Sequence, residues 1–202
     1  MTPKRTVWLR SIHHRSPIVR NFNLLVCCTM AFLGCLVLSC PVPAQSQCPE
    51  IGPFQDYDGA GQVACPCFAA GEQAGVVLDV PAGDYPIEIL KIGIGWASAY
   101  GGQPQSLEQA IHIYEGTLPN PGSPTYSLDG PLLTDGAINE FNIELTLGDR
   151  VIDSGPFMIT LEFANSNAGN VFLPSVFSDG NGCQAGKNVV YAIPGGWTDA
   201  CG

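Results

Sequence analysis

Few residues in this chain could carry chemistry. His112 is the only histidine after His14, and it is flanked by Ile111 and Ile113. A Ser-His-Asp mechanism needs that imidazole as its base. A lone histidine in mid-strand, however, predicts a surface or half-buried side chain without catalytic duty. No Gly-x-Ser-x-Gly elbow occurs, and Ser154, within Asp153-Ser154-Gly155, has no partner by sequence. One histidine cannot build a usual zinc site. Gly93, Gly95, Gly101 and Gly102 lack the following helix that would cradle a phosphate.

Carboxylates are plentiful. Glu140 and Glu144 fall on the outward face of one expected strand and Glu162 on another. Glycoside hydrolysis needs two such groups ~5–9 Å apart in a cleft, whereas acids on a sheet face are ordinarily solvated. The expectation is therefore no catalytic residue and no enzyme, with a carboxylate-dependent glycoside hydrolase as a minor alternative. Calcium is the one metal with any local support. Asp129, Asp135 and Asp179 each precede a glycine, although Asp-Gly is also an ordinary turn pair. The run Asp56-Tyr57-Asp58-Gly59-Ala60-Gly61 opens like an EF-hand loop, but Ala60 takes position five and Cys67 takes position twelve. No cofactor is expected.

Aromatic residues offer the alternative of binding. Trp96, Tyr100, Tyr126 and Trp197 fall in or beside loops, where sandwich modules carry their binding surfaces. Their ring faces can stack on sugars, with Asn and Asp supplying polar grip. The competing role is core area: Trp96 closing a strand end, Trp197 covering a bridge between Cys183 and Cys201.

Composition narrows the partners. The chain has 202 residues, 24 Gly, 17 Pro and 46% apolar residues, with a net charge of −10. Five of the eight basic residues precede Asn21, and all eighteen acids lie from Glu50 onward. Removing residues 1–44 leaves Lys91, Arg150 and Lys187 against those eighteen acids, a net charge of −15. Such a surface excludes nucleic acid, whose binding relies on Lys and Arg. A glycan or a cell-surface protein is the expected partner.

The first 44 residues read as a signal peptide. Lys4–Arg20 is basic, Leu24–Leu38 is a 15-residue apolar run without charge, and Val42-Pro43-Ala44 supplies a small-residue exit. A permanent membrane helix needs ~20 apolar residues, so soluble secretion is expected, without membrane insertion after cleavage. The alternatives are an uncleaved anchor, or an envelope lipoprotein acylated at Cys40 within Val37-Leu38-Ser39-Cys40. Cleavage leaves Cys48, Cys65, Cys67, Cys183 and Cys201 in an oxidising compartment. Cys183 with Cys201 is the expected disulfide, Cys48 has Cys65 or Cys67 as candidates, and one thiol is left over.

The elements that must position these residues are strands. Short runs at Val76–Val80, Tyr85–Trp96, Ile111–Glu115, Glu140–Leu147, Phe157–Phe163, Val171–Val176 and Asn188–Ile193 are separated by Gly, Pro, Asn and Asp. The clearest alternation is Phe141, Ile143, Leu145, Leu147 and Phe157, Ile159, Leu161, Phe163. Thr117–Leu133, with four prolines, reads as one long connection. The expectation is an all-β, antiparallel two-sheet β-sandwich over residues 61–202, after an extended entry segment at 45–60.

Ile111–Tyr114, Pro121-Gly122, Phe141–Leu147 and Gly155–Phe163 together resemble the jelly-roll-like modules of secreted bacterial proteins. The resemblance covers about half of the residues after the leader. It implies a jelly-roll sandwich and a binding or structural role at or beyond the cell surface, with a carbohydrate-binding module using loop aromatics as the alternative. Such modules carry one more strand after a segment like Gly195–Cys201, so either a final strand is missing or Asn188–Ile193 is terminal.

Overall fold

The computed structural model describes residues 7–11, 50–54, 63–143, 151–178 and 184–201. Fifteen strands occur there: β1 (Val7–Ser11), β2 (Glu50–Phe54), β3 (Val63–Ala64), β4 (Gln73–Leu78), β5 (Ile87–Ala97), β6 (Ser106–Leu107), β7 (Ala110–Tyr114), β8 (Tyr126–Asp129), β9 (Leu132–Leu133), β10 (Ala137–Asn142), β11 (Val151–Ile152), β12 (Phe157–Glu162), β13 (Ser175–Ser178), β14 (Asn188–Ala192) and β15 (Gly196–Asp199). One 3-10 turn, Ala82–Asp84, is the only helical element among the described residues, and no helix there is long and apolar enough to cross a membrane. The fold is all-β, and every pairing is antiparallel.

Two sheets carry most of the chain. One runs β2-β1-β5-β13-β3, with β10 and β11 also paired to β5; the other runs β15-β14-β4-β12-β7-β8. A single apolar cluster draws on both, with Ile87, Ile89, Ile92, Ile94 and Trp96 from β5 meeting Ile111, Ile113, Phe157, Ile159 and Leu161 from β7 and β12. Each such side chain contributes roughly 1.5–3 kcal/mol on burial. β1 falls inside the stretch expected as leader, and β2 inside the expected entry segment.

Strict alternation along β5 would put Ile87 and Ile89 on the face opposite Ile92 and Ile94. In the structure all four enter the same core, with Trp96. The cause is a register shift: Trp8 pairs with Lys91 and Leu9 with Ile89, so Leu90 has no opposite number in β1. One extra residue reverses the parity of everything beyond it.

Other boundaries shift for local reasons. The strand expected at Val171–Val176 begins at Ser175, because Pro174 has no N–H to give to a ladder. Val171, Phe172 and Leu173 are exposed instead. Buried Asn167 fixes this turn, accepting from the Phe68 N–H (3.0 Å) and donating to the Pro174 carbonyl (3.1 Å). The Thr117–Leu133 connection contains β8 and β9. Asn188–Ile193 is not the last strand among the described residues: β14 ends at Ala192, and Gly196–Asp199 forms β15, paired back onto β14. The second half of the strand expected at Glu140–Leu147, the Asp56–Gly61 loop, Asp179 and Cys183 lie outside the described residues.

Candidate functional site: the outer face of the six-stranded sheet

Strand register aligns side chains in rows across the six-stranded sheet, on the face away from the shared core. One row reads Trp197, Tyr191, Gln73, Glu162 from β15 to β12. The next reads Asp199, Val189, Gly75, Thr160, His112, Ser127 from β15 to β8. Beyond it stand Val77, Met158 and Tyr114. The face expected to be polar and solvated is thus closed over in its middle: Met158, Val189, Thr160, Tyr114 and Gln73 are all buried.

Curvature explains this. β15 and β7 are four steps apart in the sheet, about 19 Å on a flat sheet at ~4.8 Å per step. Yet the Trp197 and Tyr114 rings meet edge-on, with centroids 5.3 Å apart at 78°. The sheet curls toward this face and both side chains lean inward over Met158 and Val189. Tyr191 flanks Trp197 at 5.3 Å, and His112 lies 6.0 Å from Tyr114. Gly75 sits mid-row because a Cβ there would lie 2.2 Å from the Ile159 carbonyl oxygen and 2.7 Å from Thr160 Cα.

Beside Met158 and Val189, the floor under these rings also holds polar groups. Gln73 Oε1 accepts from the Thr160 hydroxyl (2.7 Å) and the Tyr114 hydroxyl (3.0 Å). The Gln73 amide nitrogen makes no hydrogen bond within the described residues, leaving two donors for an incoming acceptor. Burial pushes the Tyr114 phenol up, and the nearby Glu162 charge adds to that, so the phenol stays a donor.

His112 also differs from expectation. Its Nε2 lies 2.7 Å from Glu162 Oε2 and its Nδ1 2.7 Å from Ser127 Oγ. The imidazole is largely covered, at 12% exposure, and Ser127 is exposed. The sequence assigned this histidine no partner; the sheet gives it two, from strands fifteen and fifty residues away.

The four aromatics expected to bind do not form one site. Trp96 is 1% exposed and tilts against Phe163 in the core, so its ring offers no face to a ligand. Tyr126 packs on the same core, because its position on β8 has the opposite parity to Ser127. Tyr100 is exposed and stacks on Phe172 with centroids 4.9 Å apart. Trp197 alone joins the outer face. Sequence reading missed Gln73, Tyr114, Thr160 and Tyr191; the signal was the period-two pattern opposite the core residues, which assigns them to one face without showing its curl.

Acids have local duties. Asp135 accepts from the Ser98 N–H (2.6 Å), the Ser98 hydroxyl (2.8 Å) and the Gln103 N–H (2.9 Å). Burial would raise that carboxyl, but these donors and the Gly136 N–H outweigh it and hold it below the usual range. Its lone pairs serve the backbone of the Tyr100 loop. Glu140 pairs with Lys91 at 3.0 Å, in the other sheet from Glu162, and Glu144 is outside the described residues. No group of three or more His, Cys, Asp or Glu that could hold a metal occurs among the described residues. Cys65 and Cys67 lie bonded to each other, and Cys48 lies outside the described residues. Cys201 is disulfide-bonded; Cys183, its expected partner, lies outside the described residues.

Comparison with protein-family models, with curated proteins and with solved structures gives no match.

Proposed function

We propose that this chain is a secreted, jelly-roll-like β-sandwich that acts as a binding module, taking an uncharged saccharide on the concave face around Trp197. The observation that carries this reading is the Trp197–Tyr114–Tyr191 ring group beside a buried glutamine whose amide nitrogen has no partner among the described residues. Sugar recognition calls for an aromatic plane beside a few fixed polar groups. The net charge of −10 argues against an anionic ligand.

The role fits the leader-like first 44 residues and an acidic exterior, both of which suit a protein released from the cell or held at its surface. The competing role for the ring group is a second, smaller core. Binding of the protein to a polysaccharide array, measured with calcium and with EDTA, tests the reading. Saturable retention on a neutral glycan, lost in Trp197→Ala while the circular dichroism spectrum is kept, is the expected result. Retention unchanged by that substitution would move the site elsewhere, and silence on all neutral glycans would leave the rings as core. Loss on EDTA would add a metal.

A further inference from the structure

The Ser127–His112–Glu162 chain is a nucleophile, a base and an acid in hydrogen-bonded order, on three adjacent strands. Glu162 Oε2, 2.7 Å from Nε2, selects the tautomer with the proton on that nitrogen. The Nδ1 lone pair then faces the Ser127 hydroxyl at 2.7 Å, the relation in which an imidazole activates a hydroxyl. Ser127 is exposed while the imidazole is 12% exposed, so a substrate reaches the oxygen and bulk water does not compete for the base.

Ser127 also lies on the edge strand of its sheet among the described residues. The Gly130 N–H bonds inward to the Gln109 carbonyl. By the two-residue alternation of an antiparallel ladder, the Ser127 N–H points outward from β7. A backbone donor therefore stands next to the nucleophilic oxygen, where a tetrahedral oxyanion would form.

We propose that Ser127 is an acyl-accepting nucleophile, with His112 as its base and Glu162 as a positioning residue, acting on short-chain esters of uncharged alcohols. The preference for uncharged esters follows from Glu162 and from Asp129, two residues along the same face of β8, which disfavour an anionic substrate. In the first step the Ser127 oxygen bonds to the acyl carbon as its proton moves to Nδ1. The ester C–O bond breaks and that proton leaves with the alcohol. In the second step water attacks the acyl-serine, gives a proton to Nδ1, and the serine oxygen takes it back as the carboxylic acid departs. The proposal goes beyond saccharide binding and does not depend on it, because the readout below uses no sugar.

The test is labelling of the purified protein with a fluorophosphonate probe, with the adduct located by mass spectrometry, alongside p-nitrophenyl acetate hydrolysis. An adduct on Ser127 is expected, with hydrolysis lost in Ser127→Ala, an exposed position where the fold is kept. His112→Gln should slow both reactions about 100-fold, the scale of one general base. Glu162→Gln should slow them about 10-fold, with Glu162→Asp restoring part of the rate, which a merely structural carboxylate would not do. A folded wild-type protein that takes no probe at Ser127 overturns the proposal. So does labelling that His112→Gln leaves unchanged, since the three groups would then be a cross-strand polar cluster and nothing more.

Discussion

Trp197 and Tyr114 sit four strands apart in one sheet, yet their rings meet with centroids 5.3 Å apart. That contact requires a concave outer face. It turns what would be a solvated surface into a ring-covered patch with Met158, Val189, Thr160 and Gln73 buried beneath it. The rings and the floor are one unit, so disturbing the curl should disturb the site.

Gly75 is where the curl is most exposed to substitution. A Cβ there would meet backbone atoms of Ile159 and Thr160 at 2.2 and 2.7 Å, and backbone cannot step aside as a flexible side chain can. Gly75→Ala should destabilise the protein by about 1–3 kcal/mol, read as a lowered urea midpoint. A midpoint at or above wild type would contradict the packing described for β4 and β12.

Trp96 separates packing from binding. Its indole N–H has no partner within the described structure, so replacing it by Phe sacrifices volume without a hydrogen bond. Trp96→Ala should cost about 3–5 kcal/mol, and Trp96→Phe well under half of that. Equal losses in the two variants, measured by thermal or urea unfolding, would mean that the indole nitrogen has a partner after all.

Glu108 should make stability pH-dependent. Its carboxyl is buried and accepts the Ala164 N–H at 2.9 Å. Burial raises its pKa above the ordinary value, and that hydrogen bond only partly offsets the rise. The folded state therefore holds this proton more tightly than the unfolded state. Stability falls as pH climbs from the unfolded glutamate pKa through the raised folded one, and the penalty is constant above it. Glu108→Gln keeps the acceptor for Ala164 and removes the charge. Its stability relative to wild type should rise across that window and then level off, as read from urea midpoints between pH 4 and 8. A flat difference would place the carboxylate in a solvated setting.

Asp135 organises the loop that carries Tyr100. Asp135→Ala leaves the Ser98 and Gln103 N–H groups and the Ser98 hydroxyl without their acceptor. Hydrogen exchange over residues 98–103 should accelerate while β12 remains protected. Unchanged exchange in that loop would mean that other contacts hold it.

Much of the architecture was legible because it rests on period-two alternation. Phe157, Ile159, Leu161 and Phe163 enter the core as expected, as do Ile111 and Ile113. The β5 bulge was not legible, because one extra residue leaves no local mark in a run as uniformly apolar as Ile87–Trp96. β8 was hidden among the prolines of Thr117–Leu133, and with it Ser127. The site was harder still. Each candidate aromatic met the same description of lying near a loop, and only strand parity and sheet curl sent Trp96 and Tyr126 to the core, Tyr100 to Phe172 and Trp197 to the outer face of the six-stranded sheet.

The central claim is that Trp197 forms part of a saccharide-binding face. The most direct measurement is a titration of the protein with neutral oligosaccharides, following tryptophan fluorescence in wild type and in Trp197→Ala. A saturable change is expected in the wild type and none in the variant, since Trp96 is sealed in the core at 1% exposure and Trp8 lies on β1, in the other sheet. A saturable change that persists in Trp197→Ala, or none with any neutral saccharide, would contradict it.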